Sequence, residues 1–148
     1  MPTTMHFASL ILVALLAGSS PDFDEAKYVG RWVSMWNTYD LDRVDELFVP
    51  DSRVTYFSSE KEGLVHGIEE VREHHRGFGF VSGGRLPERE LWVEDVRSDD
   101  FGDTVVVTAI WYFGDRSSRE DAQRGPMTIL YLSVGDDYRI AHMHFASY

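Results

Sequence analysis

The spacing of apolar residues along this chain changes from a helical to a strand period, and no Pro-, Gly- or Ser-rich linker separates the two regimes. Between residues 22 and 39, Ala26, Val29, Trp32, Val33 and Trp36 recur at three- and four-residue steps, with Asp24 and Glu25 where a helix dipole favours acids. This pattern predicts a first helix with a buried aromatic stripe. Asp40 reads as the cap of a short helix carrying Leu41, Val44, Leu47 and Phe48, stopped by Pro50 and Asp51. Strands are expected over 53–57 and 64–66, and Gly67 releases a third helix over 68–75. Beyond Pro87 the helical period is gone. Segments 90–97, 104–113, 127–134 and 138–147 read as long strands, with turns at 99–103 and 135–137. Helices packed on one side of a curved antiparallel sheet make an α+β domain. Such a sheet leaves a blind conical pocket where its strands stop short of closing.

At 148 residues the chain holds one domain. Its formal charge of −11 excludes a phosphate-neutralising surface, so nucleic acid is not an expected partner. The absence of cysteine removes disulfides, thiolate metal sites and a cysteine nucleophile at once. Residues 1–20 carry no Lys, Arg, Asp or Glu, and the apolar run over 7–17 is followed by Gly18, Ser19 and Ser20. That run is as long as a signal-peptide core and shorter than the ~20 residues of a membrane span. Residues 1–19 are therefore read as a signal peptide and 20–148 as the domain. The expectation is export to the periplasm or the medium, with no membrane span once the leader is removed.

Three stretches together carry a resemblance. They are Trp36 to Arg43 with Leu47 to Val54, then His66 to Arg72 at the start of the third helix, and Gly135 to His144 in the last strand. Combined, they resemble the nuclear transport factor 2-like superfamily and its SnoaL-like members, over essentially the whole of 20–148. The resemblance implies a cone-shaped curved sheet wrapped around N-terminal helices, the cystatin-like or SnoaL-like α+β barrel, and a homodimer formed through the outer face of the sheet. That fold hosts isomerases, dehydratases, hydrolases, cyclases, transport adaptors and binding modules, so the site must decide the function.

In the ketosteroid isomerases of this superfamily, a first-strand carboxylate is the base, and a helix-one Tyr with a protonated Asp forms the oxyanion hole. Those positions are Tyr56, Trp32 and Ile129 in this chain. The resemblance therefore does not carry that mechanism over. A scytalone dehydratase-like site is matched by Tyr56 alone, with Trp36 and Asn37 standing where a Tyr-Asp pair would end helix one.

His142 and His144 alternate on the last strand, so their rings are expected on one face about 7 Å apart. The resemblance turns that face into the pocket. There the two imidazoles would serve as a general base and its partner, with Tyr56 and Asn37 orienting a carbonyl or hydroxyl. His-x-His is also a metal-ligand spacing, but no third ligand stands at the expected remove, and neither a metal nor an organic cofactor is expected. His74 and His75 read as an exposed helix end beside Arg76. The expected ligand-binding set is Trp32, Trp36, Asn37, Tyr56, Ile129, His142 and His144, around a small apolar organic molecule. Catalysis by His142, His144 and Tyr56, of an isomerase, lyase or hydrolase type, is one outcome. A non-catalytic assembly module is the alternative.

Overall fold

A computed structural model describes residues 21–148. The leader reading falls on residues outside the described ones. The first helix, α1 (Glu25–Thr38), begins where the Asp24 carboxylate accepts the Lys27 N–H at 3.0 Å. It buries Val29, Trp32 and Trp36 of the expected stripe together with Tyr28 and Met35, while Ala26 is exposed and Val33 is half-buried. It ends on Tyr39, whose φ of 45° is the left-handed conformation usually left to glycine at this position. A short helix α2 (Arg43–Leu47), strands β1 (Thr55–Phe57) and β2 (Leu64–His66), and helix α3 (Ile68–Gly77) follow. The cap residue of α2 is Asp42, two residues beyond the expected Asp40.

Four long strands complete the chain: β3 (Glu90–Asp100), β4 (Thr104–Gly114), β5 (Gln123–Val134) and β6 (Asp137–Phe145). The connection before β5 is shorter than expected. A 3-10 turn, Arg116–Asp121, occupies most of it, and β5 already starts at Gln123. The sheet runs in the order β2-β1-β6-β5-β4-β3, leaving β2 and β3 as open edges. All neighbours are antiparallel except β1 and β6, which run parallel, so the sheet is mixed rather than purely antiparallel.

Two register shifts bend it. One lies between Glu94 and Arg97, where Asp95 adopts a φ of 52°. The other lies in β6, where Leu130 faces His142 but Tyr131 faces Ile140, so Ala141 is an extra residue. The concave face packs on α1, with Trp32, Met35, Ile129, Ile140 and Met143 fully buried between them. No helix among the described residues is long and apolar enough to cross a membrane.

Candidate functional site

Strands of a curved sheet alternate their side chains, so residues of one parity share the concave side with α1. On that side Trp36 of α1, Tyr56 of β1, Leu91 of β3, Trp111 and Phe113 of β4, and Phe145 of β6 surround a cavity of about 230 Å³. Phe78, just beyond α3, adds another ring, while Ser58, Ser59, Glu60 and Gln123 supply its polar lining. The volume lies below the usual range for drug-sized ligands and suits a molecule of one or two fused rings.

Tyr56 is 1% exposed. Burial pushes its phenol far above the usual tyrosine value, and no charged or hydrogen-bonding neighbour offsets that effect. The hydroxyl therefore stays protonated at any physiological pH and is a donor. Two imidazoles stand behind it, with ring centres 5.1 Å away for His74 and 5.7 Å for His75. His75 is completely buried among the rings of Trp36, Phe48, Tyr56 and Phe80. The exposed helix end expected for this residue is corrected: the apolar face of α3 turns it inward, beside Val71. Its Nδ1 lies 2.8 Å from the Val71 carbonyl, which fixes a proton on that nitrogen and leaves Nε2 as an unpaired acceptor. Burial pushes its pKa down to about 4, against a smaller opposing effect of the Val71 hydrogen bond. His74 is shifted in the same direction, by burial first and by Lys61 second.

His142 and His144 do not face the cavity, and this corrects the orientation expected from alternation. Tyr138 and Ile140 point inward, but the extra residue Ala141 reverses the parity, so Met143 and Phe145 take the inner positions. Both histidines lie on the outer face, His144 exposed and His142 half-buried. There Phe57 packs against them, at 6.1 Å from the His142 ring and 5.6 Å from that of His144. Burial, and then His144, lower the pKa of His142. The geometry gives the pair no contact with a molecule held in the cavity.

The remaining expected residues divide. Trp36 and Tyr56 line the cavity. Trp32 is wholly buried one layer behind, its ring 5.4 Å from that of Phe145, and Ile129 is a core residue on the buried face of β5. Asn37 is engaged elsewhere: its Oδ1 accepts the Leu91 N–H at 2.7 Å and its Nδ2 donates to the Leu91 carbonyl at 2.9 Å. It ties α1 to β3 and positions the Leu91 wall instead of offering an amide to a ligand. Phe113 and Phe145 escaped sequence reasoning, although Trp111 and Phe113 share the parity that would have found one of them. Ser58, Ser59 and Glu60 lie in the β1–β2 connection, where no period marks them. Among the described residues, no group of three or more His, Cys, Asp or Glu side chains is gathered to hold a metal ion.

Solved structures with the same arrangement confirm the fold. A nuclear transport factor 2-like superfamily protein from Salmonella enterica serovar Typhimurium superposes with a TM-score of 0.67 at 16% identity, covering 82% of this chain and 87% of that one. An NTF2-like protein from Pseudomonas putida matches with a TM-score of 0.67 at 14% identity over 81% of each chain. A DUF3225-family protein from Pectobacterium atrosepticum matches with a TM-score of 0.62 at 20% identity, over 84% of this chain and 88% of its own. No curated protein matches the chain. The SnoaL-like domain family matches residues 29–145, from the middle of α1 to the end of β6. The chain thus belongs to the SnoaL-like domain family, and its fold is that of the nuclear transport factor 2-like structures.

Proposed function

We propose that the domain binds a small, planar, largely apolar organic molecule in the aromatic cavity, with the Tyr56 hydroxyl donating a hydrogen bond to an oxygen acceptor on it. The observation that carries this reading is Tyr56 itself. Burial holds its phenol protonated on the cavity wall, so a ligand carbonyl or hydroxyl oxygen there would gain a neutral hydrogen bond worth roughly 0.5–1.5 kcal/mol. The surrounding rings of Trp36, Phe78, Trp111, Phe113 and Phe145 supply the apolar contact. The polar groups of the lining, Glu60 and Gln123 with two serines, leave room for a second hydrogen bond.

Titration of the protein with 2-acetonaphthone, a neutral aryl ketone, tests the reading through the fluorescence of the cavity tryptophans. Saturable quenching is expected, abolished when Leu91→Trp fills the space. Absence of saturable quenching in the wild-type protein overturns it.

The outer face supports a second copy of the chain as partner. Val106, Ile110, Leu130 and Leu132 lie half-buried on that side, next to the exposed Phe57 and Leu64. Burying these aliphatic side chains in a symmetric dimer removes them from water. Export, in turn, rests on the apolar, uncharged character of residues 1–19.

A further inference from the structure

Beside the cavity runs a groove of about 340 Å³ lined by Tyr39, Phe78, Arg85, Pro87, Glu88, Arg89 and Phe113. It shares Phe78 and Phe113 with the cavity, so the two adjoin at those rings. Most arginines of this acidic chain hold a carboxylate within 4.0 Å. Arg85 and Arg89 hold none among the described residues.

Arg85 is nevertheless fixed in place. Its guanidinium carbon lies 4.7 Å from the centre of the Tyr39 ring, and its Nε donates to the Gly79 carbonyl at 2.8 Å. A Cβ on Gly79 would come within 2.6 Å of Arg85 Nη2, so only glycine leaves room for the guanidinium to lie there. The backbone of the loop is pinned as well. Arg85 N–H donates to the Thr38 carbonyl at 2.7 Å, and Gly84, at a φ of 77°, passes so close that a Cβ would stand 2.7 Å from the same oxygen. The Tyr39 ring stacks on Phe80 at 4.5 Å on a residue held in left-handed backbone, a strained arrangement. Burial raises the Tyr39 phenol, and both Arg85 and Arg89 act against that rise, which places both positive charges within electrostatic reach of its hydroxyl.

We propose that the Arg85–Arg89 groove takes the carboxylate of an amphipathic monoanion whose apolar ring system fills the neighbouring aromatic cavity. The charges select the class: two guanidiniums against Glu88 leave a net single positive charge, which complements a carboxylate and not a phosphate dianion. Arg85 supplies a guanidinium already oriented by Tyr39 and Gly79, so little side-chain freedom is lost on binding. This inference rests on the cavity being a binding site.

The test compares 2-naphthoate, the neutral 2-naphthamide and 2-naphthyl phosphate on the full chain by isothermal titration calorimetry. Naphthoate is expected to bind about tenfold tighter than naphthamide, and the Arg85→Gln/Arg89→Gln variant to lose that advantage. Unchanged naphthamide affinity in the variant is expected as well, and shows that its fold and cavity are intact; a fall in naphthamide affinity equal to that of naphthoate overturns the carboxylate assignment. Equal binding of naphthoate and naphthamide to the wild-type protein overturns the anion site and leaves the cavity reading standing. Binding of neither overturns both. Naphthyl phosphate binding tighter than naphthoate overturns the choice of a monoanion.

Discussion

Thr55 Oγ1 stands 2.7 Å from His142 Nδ1 across the parallel junction of β1 and β6. That contact belongs to the outer face of the sheet, while their chain neighbours Tyr56 and Met143, also paired in register, are buried on the inner one. The same junction thus puts the histidines of the last strand outside and the candidate donor, Tyr56, inside. Affinity for an aryl ketone should then be indifferent to His142 and His144. Replacing either by Ala is expected to change the dissociation constant by less than about twofold, because neither ring lines the cavity. A larger loss in the titration would mean that the outer face communicates with the site.

The buried imidazole of His75 makes stability depend on pH. Its folded pKa, near 4, lies below the ordinary value of 6.5. Above pH 6.5 both states are neutral and nothing is lost. Between 6.5 and 4 the unfolded chain takes up a proton that the folded one refuses, so stability falls as pH falls, by up to about 3 kcal/mol once pH is below the folded value. His74 and His142 are also lowered and add slope of the same sign. Urea unfolding at pH 5 and pH 8 should therefore show a smaller difference for His75→Phe than for the wild-type protein.

Asn37 holds α1 against β3 through its paired hydrogen bonds to Leu91. Asn37→Ala removes both and leaves two Leu91 backbone groups short of partners. A loss of about 1–3 kcal/mol is expected in chemical denaturation. Aryl-ketone binding should weaken in parallel, since Leu91 forms part of the wall.

If the outer face is covered by a second copy, Leu130→Arg places a charge at its apolar centre. Sedimentation velocity is expected to find the wild-type protein at twice the chain mass and the variant at the chain mass. A wild-type protein that sediments as a monomer contradicts the proposed dimer.

Much of this architecture was legible in the residues. The three- and four-residue spacing of Val29, Trp32 and Trp36 marks α1 and the centre of its buried face, and the glycine and aspartate turns separate the long strands. What alternation could not supply was the parity of β6. One extra residue at Ala141 reverses every side chain after it, and nothing in the local sequence distinguishes a bulge there from a regular strand. His75 departs from expectation for a related reason: the basic end of α3 points to solvent, but the residue falls one turn after Val71 on the apolar face of the helix. The cavity rim was illegible because Ser58, Ser59 and Glu60 lie in a connection without period, brought to the site only by the pairing of β1 with β6.

The central claim is that Tyr56 is the hydrogen-bond donor of an aromatic binding cavity. It is tested most directly by the ratio of dissociation constants between Tyr56→Phe and the wild-type protein, for 2-acetonaphthone and for 2-ethylnaphthalene, which lacks the acceptor oxygen. The ketone should lose about five- to tenfold in affinity and the hydrocarbon should be unaffected. Equal ratios for the two compounds would contradict the account.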